Sequence, residues 1–177
     1  MTNIWSNLRE RHLNRNLYSI FSDIEEKIAY FALYNLSRQI QGFLLYNPQG
    51  DKLARNDEKG RYYTCVPPKE KLPKPPVIWG LESWYFSPRI LFIVEGVFDA
   101  CRIHNEGYTA IAALSNDPEN LKNWFKMIPR KKIAISDGDP GGQKLLKYGD
   151  IKASIITDKD LGDLTDLEVS DIVKNIL

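Results

Sequence analysis

With 177 residues and 43% hydrophobic content, the chain can bury a core as one ordinary domain or two small lobes, which excludes wholesale disorder. The balance of 24 Lys+Arg against 23 Asp+Glu excludes a uniformly basic nucleic-acid coat and a uniformly acidic mimic. The halves nevertheless differ: residues 1–89 carry 13 basic and 9 acidic side chains, and residues 90–177 carry 11 and 14, so a basic surface is expected to accompany an acidic site. Only Cys65 and Cys101 are present, too few for a disulfide scaffold or a four-cysteine zinc ribbon, and no zinc is expected. The start of the chain lacks a secretory pattern, and no apolar run approaches the roughly 18–20 residues of a membrane span. The chain reads as reduced and cytoplasmic, with no membrane partner.

Residues 5–37 contain neither Gly nor Pro, and Leu17, Ile20, Phe21, Ile24, Ile28, Phe31 and Leu33 recur at three- and four-residue intervals, so a helical segment is expected over 1–37. Ile40–Tyr46 reads as a strand closed by the turn signal Asn47-Pro48-Gln49-Gly50, with Lys52–Ala54 and Tyr62–Val66 as its neighbours. This gives a small antiparallel lobe over 38–88. Pro67 to Pro76 holds five of the ten prolines and reads as a linker or rigid arm.

From residue 89 onward short apolar runs alternate with helical stretches. Ile90–Val94, Thr109–Leu114, Lys132–Ile135 and Ala153–Ile156 read as strands; helices are expected near Phe98–Glu106, Pro118–Met127 and Gly141–Tyr148, with a terminal helix before Leu177. The alternation predicts an α/β class with a parallel sheet flanked by helices over 89–177. Trp79, Trp84, Tyr85 and Phe86 are expected at the interface between lobes, and His12 and His104 in surface or packing roles.

The chemistry is concentrated at two strand ends. Ile90–Val94 stops in Glu95-Gly96, followed by Val97-Phe98-Asp99, and Lys132–Ile135 stops in Ser136-Asp137-Gly138-Asp139-Pro140-Gly141-Gly142. Ligands in open α/β sheets bind at the carboxyl ends of strands. Carboxylates held together repel unless a cation neutralises them, and hard oxygen ligands suit Mg²⁺ or Mn²⁺, so these acids fit a metal site for phosphoryl transfer. Asp, Gly and Pro are also what surface turns are made of, which keeps a plain turn open as the alternative.

Ile93-Val94-Glu95-Gly96-Val97-Phe98-Asp99-Ala100, then Ala110–Ser115, then Ile135–Gly142 resembles the Toprim domain shared by bacterial-type primases, topoisomerases and several nucleases. The resemblance covers about half the chain. It implies a Rossmann-like sheet in which Glu95, Asp137 and Asp139 are catalytic and hold divalent metal, with Asp99 as a supporting metal-site position. Upstream, Ile40–Pro48, Gly60–Thr64 and Ile78–Glu82 are similar to the basic lobe that precedes Toprim in bacterial and phage primases; downstream, Lys159-Asp160-Leu161-Gly162-Asp163 resembles the Lys-Asp block that follows it, with Asp163 a further acid. A primase core of this kind implies short RNA primers made on single-stranded DNA from ribonucleoside triphosphates, the 3′ hydroxyl attacking the α-phosphate.

Between residues 52 and 74 seven basic side chains face three acids, interleaved with Tyr62 and Tyr63. Arg55, Lys59, Arg61, Lys69, Lys71 and Lys74 are the candidate nucleic-acid or nucleotide contacts, since such a strip can hold phosphates and stack bases; a merely solvated loop is the alternative. No Cys/His cluster for reading template and no GxxxxGK[ST] loop for a fused helicase is present, so a replicative helicase or a separate template-recognition protein is the expected partner. Small size and missing modules point to a phage or mobile-element protein. Two rivals stand beside this reading: a metal-dependent Toprim nuclease, and a non-catalytic Toprim accessory protein that binds DNA or a replication partner.

Overall fold

The computed structural model describes residues 3–54, 59–66, 76–138, 141–155 and 159–177, which fall into two compact units, 1–77 and 78–177. In the first, α1 (Ile4–Glu10) opens under an Asn3 cap whose side chain accepts from Trp5 N. Four antiparallel strands follow in sequential order: β1 (Ile20–Ser22), β2 (Ala29–Tyr34), β3 (Ile40–Tyr46) and β4 (Tyr62–Cys65). Ile20, Phe31 and Leu44 share one register line and are buried, as are Ile4 and Leu8 of α1. Tyr46 donates from its hydroxyl to Asn7 Oδ1 at 3.0 Å, fastening β3 to the helix.

The expected helix over 1–37 is therefore corrected to one short helix and two strands. The cause is local. Asp23 Oδ1 accepts from the backbone N–H groups of Lys27 and Ile28 at 2.7 and 2.8 Å, which folds 23–28 into a turn and leaves Ile24 fully exposed. Beyond that turn, Tyr30, Phe31 and Tyr34 favour a pleated surface. Lys52–Ala54 forms no strand either; among the described residues there, Asp51 and Gly60 form an isolated bridge.

The second unit is built on β5 (Ile90–Val94), β6 (Ala110–Ala112), β7 (Lys131–Asp137) and β8 (Ile151–Ile155), all parallel, in the order β6-β5-β7-β8. Leu91, Phe92, Ile93, Ile111, Ile133 and Ala134 are fully buried, the continuous apolar runs of a sheet covered on both faces. α2 (Val97–Asn105) joins β5 to β6, and α3 (Lys122–Met127) joins β6 to β7. A 3-10 helix, Gly142–Tyr148, joins β7 to β8, and α4 (Asp166–Ile176) closes the unit. Right-handed crossovers place α2 on one face, and α3 with the 3-10 helix on the other. Phe125 of α3 accordingly meets Tyr148 at 5.3 Å between ring centroids.

The unit begins at Ile78, earlier than the expected 89, because residues 78–87 are bonded to the edge strand. Trp79 exchanges backbone hydrogen bonds with Ala112, Ser83 Oγ donates to Ala110 O at 3.1 Å, and Thr109 N donates to Ser87 Oγ at 2.8 Å. This segment covers the outer edge of β6. Trp79 and Trp84 are thus packing residues of the second unit itself: Trp79 is fully buried on His104, and Trp84 lies against Trp124 with Arg130 over its ring. Gly80 takes φ +94°, and a Cβ there would fall 2.9 Å from Ala110 O, so only glycine fits.

His104, 3% exposed and held through Nε2 to Ala110 O, has its pKa pushed down to about 4 by burial. Its folded pKa lies below the unfolded value, so its contribution is fully present above pH 6.5 and is lost as pH falls from 6.5 through 4. We expect about 3 kcal/mol less stability at the acid end of that window, at 1.36 kcal/mol per pKa unit. Urea unfolding between pH 7 and 4 measures it, and His104→Gln should flatten that part of the profile.

Candidate active site at the carboxyl edge of the parallel sheet

β5 and β7 are neighbours in the sheet, with Ile93 opposite Ala134, so both chains leave the sheet side by side. Two residues beyond Ile93 stands Glu95, and three beyond Ala134 stands Asp137. A small depression at this edge is lined by Val94, Glu95, Asp99, Ile135, Asp137 and Leu161. The tertiary structure therefore brings together Glu95, Asp99 and Asp137, separated in sequence by up to 42 positions. Asp139 lies outside the described residues. A Cβ at Gly138 would fall 2.7 Å from the backbone oxygen of Ile155, so the position has no room for a side chain.

Asp99 has a structural task within this group. Its Oδ2 accepts from Gly96 N at 3.0 Å, and its Oδ1 from Gly162 N at 2.9 Å. The first bond satisfies an otherwise orphaned donor at the start of α2, a position where a carboxylate is also favoured by the helix dipole. The second anchors the turn Leu161–Asp163, which brings Leu161 to the depression. Asp163 is exposed and is not among the lining residues.

The position of Glu95 is set by its backbone: Leu114 N donates to Glu95 O at 3.0 Å and Ala113 N to Val94 O at 2.9 Å. Leu114 adopts φ +57°, a left-handed conformation that costs an L-residue about 1–2 kcal/mol. Strain of this kind concentrates at functional sites. Nothing in Ala-Ala-Leu-Ser marks it, because the residues that tolerate this region are Gly, Asn and Asp; sequence reasoning missed Leu114 for that reason, along with the Gly162 donor.

The oxygen donors here have the chemistry of a hard divalent cation site, and Glu95 and Asp137 are half-exposed, as ligands reached from solvent must be. Among the described residues no group of three or more His, Cys, Asp or Glu side chains is arranged to hold a metal ion.

Of the basic candidates, Arg55, Lys69, Lys71 and Lys74 lie outside the described residues. Lys59 is exposed, and Arg61 is half-buried with an Nε that has no hydrogen-bond partner. Tyr62 is 38% exposed and stacks on Tyr46 at 5.3 Å, so one of its faces is already used. No helix among the described residues is long and apolar enough to cross a membrane.

No family model matches the chain, and no curated protein matches it significantly. Solved structures do. The primase fragment of the bacteriophage T7 primase-helicase protein superposes with a TM-score of 0.68 at 11% identity, covering 99% of this chain and 78% of that one. A DnaG primase catalytic domain bound to single-stranded DNA gives 0.64 at 14% identity, over 95% and 70% of the two chains. A DNA primase domain from Pseudomonas aeruginosa gives 0.60 at 16% identity, over 99% and 59%. At these identities the likeness is one of fold, and it extends over both units. The chain has the fold of the catalytic cores of bacterial and phage primases.

Proposed function

We propose that this chain is a primase-type nucleotidyltransferase core that makes short RNA primers on single-stranded DNA. The observation that carries the reading is the pairing of β5 with β7, which sets Glu95 beside Asp137 at the ligand-binding edge of a primase-like sheet. A bound Mg²⁺ or Mn²⁺ would supply Lewis-acid activation of the attacking 3′ hydroxyl and neutralise charge on the leaving pyrophosphate. Glu95, Asp137 and Asp139 would hold it. Asp99 acts through its two backbone bonds, orienting the start of α2 and the Leu161–Asp163 turn around those acids. Lys59 and Arg61, with Arg55, Lys69, Lys71 and Lys74, would contact template phosphates, and a helicase or template-recognition protein would direct the core to its start sites.

The test is incorporation of labelled ribonucleotides on mixed-sequence single-stranded DNA with Mg²⁺ or Mn²⁺, comparing the wild type with an Asp137→Ala/Asp139→Ala double variant. Short RNA products absent in the variant support the proposal. Metal-dependent cutting of the template without synthesis identifies a nuclease instead, and DNA binding with neither reaction identifies an accessory protein. The template role of the basic strip is tested separately: Lys59→Ala is expected to weaken single-stranded DNA binding and to lower the salt slope of log K by about 0.7, the loss of one phosphate contact, in a salt titration of anisotropy.

A further inference from the structure

Asp137 ends β7, and Asp139 falls on the four residues, 138–141, that join this strand to the 3-10 helix Gly142–Tyr148. A 3-10 helix bonds i to i+3 with poor geometry and rarely runs beyond about three or four residues, so one of seven residues depends on ties to its surroundings. Its last turn has them. Lys147 donates to Asp117 Oδ1 at 2.7 Å and to Glu119 Oε1 at 2.6 Å, and Tyr148 donates to Asp117 Oδ1 at 2.9 Å. The first turn, which adjoins the acids, is tied by other means.

Gln143, in that first turn, donates from Nε2 to Ser154 Oγ on β8 at 3.2 Å. The same Ser154 Oγ lies 3.2 Å from Ser136 Oγ, and the two serines are register partners on β8 and β7. A hydroxyl has one hydrogen to donate and two positions at which to accept, so Ser154 serves both neighbours. Ser136 immediately precedes Asp137 and is 2% exposed, whereas Gln143 and Ser154 are exposed. Residues 136 and 143, on either side of the acid-bearing connection, thus meet on one oxygen. Between them Gly138 runs against β8, where Ile155 O leaves no space for a Cβ. Hydrogen bonds open to water add little net stability, so what this polar trio fixes is geometry.

We infer that Gln143 and Ser154 are positioning residues for the metal-holding acids: they close the loop that carries Asp137 and Asp139 on a single hydroxyl, and so set how those carboxylates are presented to a divalent cation. Partners that orient ligands from outside the ligand shell change metal affinity about 10–100-fold when removed. Neither residue lines the depression, so an effect on the metal passes through the loop. The inference rests on the proposed metal site and deepens it.

Titration of the full chain with Mn²⁺ in the absence of nucleotide, the free ion being read by electron paramagnetic resonance, tests it. The dissociation constant is expected to rise about tenfold in Gln143→Ala and in Ser154→Ala, and to stay within about twofold of the wild type in Ser154→Thr, which keeps the hydroxyl. The unfolding midpoint should fall by no more than about 3 °C in any of them, the loss of one exposed bond. A merely structural tie would lower the midpoint and leave the affinity unchanged. In primer synthesis the Mg²⁺ concentration for half-maximal rate should rise by a similar factor, with the rate recovered at saturating metal. Wild-type Mn²⁺ affinity in both alanine variants, with binding lost in Asp137→Ala/Asp139→Ala, would overturn the clamp and leave the metal site standing. Ser154→Thr as weak as Ser154→Ala would also overturn it. No Mn²⁺ binding by the wild type, or binding retained in Asp137→Ala/Asp139→Ala, would overturn the metal site and the clamp together. Mn²⁺ affinities in the expected order without any primer synthesis would support the clamp and overturn the proposed activity.

Discussion

Glu95→Gln is expected to lower primer synthesis by roughly 10²–10³-fold while leaving the thermal unfolding midpoint unchanged. The exchange keeps the shape of the side chain and removes one negative charge from the acids proposed to hold a divalent cation. Losing several kcal/mol of transition-state stabilisation corresponds to that factor at 1.36 kcal/mol per tenfold. The backbone of Glu95, fixed by its bond from Leu114 N, is unaffected. Asp99→Ala should behave differently. It leaves Gly96 N and Gly162 N without acceptors, which costs about 2 kcal/mol of stability. Its loss of activity should therefore come with a lower unfolding midpoint. Paired rate and melting measurements on the two variants separate a residue that meets the reacting groups from one that positions them. If Glu95→Gln primes as well as the wild type, the carboxyl edge is not where synthesis occurs.

The largest stability effect is expected at Arg102. This side chain is 1% exposed, yet it carries a charge: Nη1 donates to Asp166 Oδ1 at 2.7 Å and Nη2 to Leu164 O at 2.7 Å, while Nε has no partner. One turn before it on α2, Asp99 holds Gly162, so two adjacent positions on that helix clasp the whole segment from Leu161 to the start of α4. Arg102→Ala opens a cavity, orphans the Leu164 carbonyl and removes a charged hydrogen bond. Together these should cost about 3–5 kcal/mol. At 2–4 °C per kcal/mol for a chain of this size, the midpoint by circular dichroism should fall by roughly 10 °C. Arg102→Met keeps most of the volume and leaves no buried charge, so it should lose clearly less. An alanine variant as stable as the wild type would show that the buried Arg102, with its bonds to the exposed Asp166 and to Leu164 O, contributes nothing to holding α4. The capping box of α4, in which Thr165 Oγ1 accepts from Glu168 N and Glu168 Oε2 accepts from Thr165 N, stabilises that helix locally but does not dock it.

Much of the second unit was legible from the linear pattern. Ile90–Val94 and Ile133–Ile135 are apolar runs, the first followed directly by Glu95-Gly96 and the second, after Ser136, by Asp137-Gly138, and parallel βαβ units permit few arrangements of such elements. The helical expectation for residues 17–33 failed because apolar residues three and four apart suit a helix and also two strands joined by a turn. The capping of 23–28 by Asp23, with Ile24 pushed into solvent, decided between them. Similarly, Asp99 is visible in sequence as one more acid near Glu95; that its two oxygens serve two backbone donors 66 residues apart depends on where the Leu161–Asp163 turn packs.

The sequence by itself determined the class of the sheet and the residue types of the site, since periodicity and strand-end chemistry are local properties of the chain. The tertiary structure alone decided that β5 lies against β7, so that Glu95 and Asp137 are neighbours, and that Leu114 takes a strained backbone to hold Glu95. The physical reason is the same in each case: strand order and crossover direction are set by burying apolar faces over long sequence separations, and such pairings leave no mark on the residues nearby.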